Sequence, residues 1–178
     1  EKIINAMVGW ATGGPLIDRI IDPGSGSARF ATAAGRAMPK ATVIAVELDP
    51  LSALLSRANL ATRGMQKRAV VELGDYRRFS AHPIEGRTLY IGNPPYVRHH
   101  NIEPKWKRWL TVTARERGLS ASQLSGLHLY FALATAANAS AGDRGVFITS
   151  SEWLDVNYGS LMRELLLDGL GGESIHVI

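Results

Sequence analysis

With 178 residues, 46% of them hydrophobic and 20% charged, the chain has the size and composition of one folded domain, which excludes a disordered or fibrous protein. It contains no cysteine, which excludes disulfides and thiolate metal sites and suits a reducing cytoplasm, the expected location. No apolar run approaches the roughly 20 residues that span a bilayer, and no signal-peptide pattern opens the chain, so no membrane partner is expected.

In chain order, Ile3, Ile4, Met7 and Val8 fit one face of a helix over Lys2 to Trp10. Leu16 to Ile21 reads as a strand ending at Asp22, and the small residues from Ala28 to Met38 as a helix. Ala41 to Glu47 is a buried strand, and Pro50 to Leu60 a helix with Leu51, Leu54 and Leu55 at helical spacing. Short strands follow at Val70 to Leu73 and Arg87 to Ile91, then a helix at Leu127 to Ala137, a strand at Gly145 to Thr149 and a helix at Leu161 to Leu167. The last residues, Ser174 to Ile178, read as one more strand, and the absence of an initial methionine suggests a piece of a longer protein. Strands alternating with helical patterns imply βαβ units. The expected class is therefore α/β, a mostly parallel sheet with helices on both faces, in one domain over residues 1–178. A long insertion over Val97 to Ser125, irregular or helical, interrupts it.

That insertion is basic. Arg98, Lys105, Lys107, Arg108, Arg115 and Arg117 face only Glu103 and Glu116 between Val97 and Leu119, a surplus of four that equals the net +4 of the whole chain. A basic segment on a neutral body suits a polyanion, and a solvated helix face accounts for the charge equally well.

In parallel sheets ligands sit beyond the carboxyl ends of the strands. The first strand runs into Asp22-Pro23-Gly24-Ser25-Gly26, whose glycines permit tight turns and close approach of a ligand. The second ends in Glu47, 21 residues after Gly26, an offset that suits an acid accepting from both hydroxyls of a ribose. The third ends in Gly74-Asp75-Tyr76 and the fourth in Gly92-Asn93-Pro94-Pro95-Tyr96. A turn, a helix cap or a loop acid would account for any one of these alone; four successive strand ends argue for a site.

The segment Asn93-Pro94-Pro95-Tyr96, preceded by Asp22-Pro23-Gly24-Ser25-Gly26-Ser27-Ala28-Arg29-Phe30, resembles the γ-type amino-methylating DNA adenine-N6 methyltransferases of restriction-modification systems. The likeness runs on through Val146 to Leu154 and from Tyr158 to Leu165. Two departures stand out: Ala28 replaces the last glycine of the cofactor loop, and the Thr-Pro dipeptide that precedes the family's first helix is absent. The resemblance implies a Rossmann-like class I fold dependent on S-adenosylmethionine. It places Asp22, Pro23, Gly24 and Gly26 at the methionine part of that cofactor and Glu47 at its ribose. Asp75 and Tyr76 fall at its adenine, and Asn93 beside it. It makes Asn93, Pro94, Pro95 and Tyr96 the catalytic loop, acting on an adenine flipped out of double-stranded DNA. A restriction nuclease, fused or separate, and a C-terminal target-recognition region missing from these residues are the further implied partners.

The chemistry needs such a loop. An aryl amine is a poor nucleophile because its lone pair is delocalised into the ring. Acceptors on both N–H bonds, here the Asn93 side-chain oxygen and the Pro94 carbonyl, favour a pyramidal nitrogen. The prolines fix φ and hold the acceptors in place, so catalysis is mainly positioning. Tyr96 offers a flat surface to the extruded base.

Of the remaining residues, Arg98, Lys105, Lys107 and Arg108 are the candidate DNA contacts. Trp106 and Trp109 suit base stacking or packing against the domain equally. His99 and His100 lack metal-site spacing, and no metal is expected. Two other functions use a similar loop or fold: methylation of a planar amide or amine in a release factor or ribosomal RNA, and non-catalytic binding on a degenerate cofactor fold.

Overall fold

The computed structural model describes residues 1–177. The elements run α1 (Lys2–Thr12), β1 (Arg19–Pro23), α2 (Arg29–Ala37), β2 (Thr42–Glu47), α3 (Pro50–Ala61), β3 (Ala69–Leu73), β4 (Thr88–Gly92), α4 (Pro104–Glu116), α5 (Leu127–Asn138), β5 (Arg144–Phe147) and α6 (Ser160–Glu164). The five strands form one sheet in the order β3-β2-β1-β4-β5, with every pairing parallel. The chain leaves β1 toward β2 and β3, then returns to lay β4 on the other side of β1. The order therefore reverses between β1 and β4, the place where open α/β sheets bind ligands.

The chain forms two compact units, residues 1–94 with 138–148, and residues 95–137 with 149–178. The basic stretch 97–125 lies wholly in the second.

In the first unit, β1 and β4 are buried along their whole length, as central strands of a parallel sheet must be. Ile20, Val43, Ala45, Leu89 and Ile91 pack with Ile4, Met7 and Val8 of α1, Ala31 and Ala34 of α2, and Ala53 and Leu60 of α3. One expectation from periodicity fails here, and the leucine spacing of α3, though helical, turns outward. Ile3 is 45% exposed because the stripe that α1 buries is Ile4, Met7, Val8 and Ala11, and Ile3 lies off it. The leucines of α3 face away from the core: Leu51, Leu54 and Leu55 are 66%, 60% and 51% exposed, while Ala53, Ser56 and Leu60 are buried. The start of α3 is well specified, with Pro50 at its first position and the Asp49 carboxylate accepting from the Ser52 amide at 2.7 Å.

In the second unit, Trp106, Leu110 and Ala114 of α4 pack with Leu129, Tyr130 and Leu133 of α5, and with Trp153, Leu161, Met162 and Leu165. Trp109 lies parallel to the Tyr130 ring at 6.2 Å and edge-on to Trp106 at 6.1 Å. Packing is thus where these two tryptophans are engaged. The strand expected from Ser174 does not form among the described residues, for 171–177 are irregular, with Ile175 and Val177 exposed; Ile178 lies outside the described residues. An extended segment without a neighbouring strand has no ladder to satisfy its backbone.

Candidate active site

Seven of the expected cofactor residues gather at the carboxyl ends of β1, β2 and β3, with Asn93 next in line at the end of β4. The turn after β1 is built by alternation of left-handed backbone: Gly24 at φ 67°, Gly26 at φ 55° and Ala28 at φ 58°. Ala28 stands where the resembled family has glycine, and a left-handed alanine costs about 1–2 kcal/mol. Its methyl is fully buried in the core, which offsets part of that cost.

Hydrogen bonds then fix the turn from three sides. The amides of Gly24 and Ser25 donate to the Val46 carbonyl at 2.9 and 3.1 Å, and that of Gly26 to the Glu47 carboxylate at 2.7 Å. From α3, the Ser56 hydroxyl donates to the Gly26 carbonyl at 2.6 Å and the Asn59 side-chain amide to the Ser27 carbonyl at 2.8 Å. Sequence reasoning missed Ser56 and Asn59. The available signal was a pair of small polar residues at helical spacing next to the buried Ala53 and Leu60.

The consequence is chemical. Anion-binding loops leave their amides free for phosphate, with the helix N-terminus aimed at it. Here the amides of Gly24, Ser25 and Gly26 are consumed by a carbonyl and a carboxylate, and the Asp22 carboxyl takes the Ala31 amide in the first turn of α2 at 2.9 Å. The two carboxyls at the turn favour a ligand that is cationic or rich in donors over phosphate.

Asp22 is fully buried, and its second oxygen, Oδ1, has no partner among the described residues. Burial pushes this carboxyl up to about 7; the Ala31 amide opposes that rise and the nearby Glu47 charge adds to it. Gly92, just before Asn93, is needed beside it: a Cβ there would stand 2.9 Å from Asp22 Oδ1. Close approach of the β4 end to the β1 end thus requires glycine immediately before the Asn-Pro-Pro-Tyr loop.

Glu47 also accepts from the Asp49 amide at 2.9 Å. Asp75 opens a single 3-10 turn, Tyr76–Arg78, and holds Arg77 in an ion pair. Tyr76 is buried with its ring stacked on Phe79 at 5.7 Å. Asn93 is exposed and Pro94 buried at the edge of the first unit.

In the second unit, Pro95 and Tyr96 are exposed, and burial of part of the Tyr96 phenol raises its pKa. The Leu127 amide donates to the Val97 carbonyl at 2.9 Å, tying the start of α5 to the residue after Tyr96. Arg98 precedes a 3-10 turn over His99–Asn101, and Lys105, Lys107 and Arg108 lie on α4. Lys105 pairs with Glu103 at 2.9 Å, both well exposed, so its charge is partly answered locally. Arg108 is exposed.

The residues at the sheet fit S-adenosylmethionine by donor and acceptor chemistry. Three carboxylates on adjacent strand ends offer acceptors to an ammonium, two ribose hydroxyls and an aryl amine, and the orphaned Asp22 oxygen adds negative character for a cation.

Comparison with known proteins agrees. The chain is 54% identical over 178 residues to the type II methyltransferase M.XamI of Xanthomonas campestris pv. amaranthicola, covering 99% of this chain and 33% of that one. It is 27% identical over 125 residues to a tRNA1(Val) (adenine(37)-N6)-methyltransferase of Porphyromonas gingivalis, covering 68% of this chain and 48% of the relative. The chain thus spans between a third and a half of these relatives. Its fold matches the methyltransferase subunit of a type I restriction-modification system from Streptococcus thermophilus, with a TM-score of 0.71 and 16% identity over 93% of this chain and 37% of that one. The model of the Eco57I restriction-modification methylase family matches residues 88–176, half of the chain, from β4 through the Asn93–Tyr96 loop and the second unit. The chain belongs to the Eco57I restriction-modification methylase family.

Proposed function

We propose that this chain carries the catalytic part of an enzyme that methylates the exocyclic N6 amine of adenine in DNA, using S-adenosylmethionine. The observation that carries the reading is the position of Asn93-Pro94-Pro95-Tyr96. It follows the strand at which the sheet reverses, one residue after the glycine packed on Asp22. S-Adenosylmethionine supplies an electrophilic methyl group on a positively charged sulfur.

The chain's own residues bind and orient. Glu47 accepts from ribose hydroxyls, Asp75 from the adenine amine with Tyr76 beside the ring, and Asp22 with the Gly24–Gly26 turn receives the methionine part. Asn93 Oδ1 and the Pro94 carbonyl hold the two N–H bonds of the target amine, and Tyr96 gives its flat face to the flipped base. No strong base is needed before attack, because the amine acquires its acidity only on methylation. Arg98, Lys107 and Arg108 contact phosphates, with Lys105 weakened by Glu103. The 54% identity to a type II methyltransferase favours DNA as the polymer, and the adenine-N6 relative favours adenine as the base. In this reading the protein works in the cytoplasm beside a restriction nuclease, and a target-recognition region outside these residues selects the site.

Transfer of tritiated methyl groups to duplex DNA, RNA and a release factor, side by side with the full-length protein, tests the proposal. Adenine in DNA should be labelled, and Asn93→Ala should collapse transfer while leaving cofactor affinity within about threefold. Labelling of RNA or release factor alone, or near-normal transfer by Asn93→Ala, would refute it.

A further inference from the structure

We propose that Arg77 is a positioning residue that makes the cofactor site selective for a 6-amino purine, an inference that rests on the reading of Asp75 as the adenine acceptor.

A carboxylate offers about four lone-pair positions. Asp75 has committed three of them to one neighbour. Its Oδ1 accepts the Arg77 backbone amide at 3.0 Å and Arg77 Nε at 2.8 Å, and its Oδ2 accepts Arg77 Nη2 at 2.5 Å. One position, on Oδ2, remains among the described residues. The guanidinium fork sets both the direction and the plane of the carboxylate, which a lysine ammonium cannot do. The two side chains are only 10% and 15% exposed, so water competes little for the pair.

Asp75 caps the 3-10 turn Tyr76–Arg78 that holds Arg77, two residues after β3. The clamp is therefore local, made between residues two apart in the chain, so holding it costs little ordering. Asp75 supplies one acceptor in one place, which suits one N–H of a 6-amino group.

Selectivity follows from what the clamp forbids. A 6-oxo purine presents a carbonyl at position 6, which repels a carboxylate, and an N–H at ring position 1. A carboxylate free to swing would accept from that N–H and tolerate the oxo ring. A clamped one stays aimed at position 6 and rejects it, because its remaining lone pair then faces an oxygen.

Calorimetry on the full-length protein with S-adenosylhomocysteine and S-inosylhomocysteine tests this. The native protein should prefer the amino ligand by about 10- to 100-fold. Arg77→Ala should shrink that ratio at least about fivefold, chiefly by improving relative affinity for the oxo ligand. Arg77→Lys, which keeps a cation without the fork, should fall between them and serves as the test should Arg77→Ala unfold early in a thermal melt. An unchanged ratio in the folded variants, or equal weakening of both ligands, would overturn the role of Arg77 alone. Failure of the native protein to bind either ligand would overturn the cofactor reading and this inference with it.

Discussion

The Gly26 amide donates to the Glu47 carboxylate at 2.7 Å, so the acid at the end of β2 holds the turn that follows β1. Glu47 is thus both a candidate ribose acceptor and a strut of the turn. We predict that Glu47→Ala weakens S-adenosylhomocysteine binding by roughly 5- to 150-fold, the loss of about 1–3 kcal/mol. Glu47→Gln, which retains an acceptor for Gly26, should keep the native melting temperature more closely than Glu47→Ala while still losing affinity. Calorimetry and thermal melts on both variants check this; native-like binding by Glu47→Ala would remove the residue from the site.

Asp22 predicts a pH dependence of stability. Its carboxyl titrates near its ordinary 3.8 when unfolded and at about 7 when buried in the fold. Between those values the folded state holds a proton that the unfolded state has lost, so stability falls as pH rises from about 4 to 7 and levels off above. Asp22→Asn, neutral throughout, should remove this slope and gain on the native protein as pH rises. A cationic ligand beside Asp22 should favour the carboxylate, so that binding releases protons near pH 6. Melts across pH 5–8, and titrations in buffers of different ionisation enthalpy, read the two effects. A pH-independent difference between native and Asp22→Asn would show that Asp22 is ionised throughout.

Ala28 predicts an asymmetry. Glycine relieves about 1–2 kcal/mol of left-handed strain, but loses about 0.8 kcal/mol of buried methyl and adds flexibility to the unfolded chain. Ala28→Gly should therefore lie within about 1 kcal/mol of native, whereas Ala28→Val, β-branched in the same backbone, should cost more than about 2 kcal/mol. Urea denaturation distinguishes them, and equal effects of the two substitutions would mean that backbone strain at residue 28 is negligible.

The exposed leucines of α3 give a contrast with the core. Leu54→Gln, at a side chain 60% exposed, should change the stability of this folded unit by no more than about 0.5 kcal/mol. Leu60→Ala, at a side chain 2% exposed on the same helix, should cost about 2–5 kcal/mol. Reversal of that order in denaturant titrations would mean that α3 is rotated about its axis relative to the fold described.

What the amino-acid order determined by itself was local. Each strand of the sheet was legible to within about three residues at either end, because a buried parallel strand reads as a short apolar run and its loop as glycine, proline and acid. Asp22, Glu47, Asp75 and Asn93 were legible for the same reason, each standing at or within two residues of the carboxyl end of its strand. Tertiary structure alone decided the rest. Periodicity identified a leucine stripe on α3 but not which face would meet the sheet, and the smaller Ala53 and Ser56 allow that helix to approach closely. Ser56 reaches Gly26 across 30 residues and Asn59 reaches Ser27 across 32, links that no local pattern announces. Trp106 and Trp109 were equally suited to a base or a core until the Tyr130 ring came alongside. The strand order, and with it the placement of Asn93 beside Asp22 rather than beside Asp75, depends on which edges pair when the chain folds back, and hydrogen bonds between distant segments settle that.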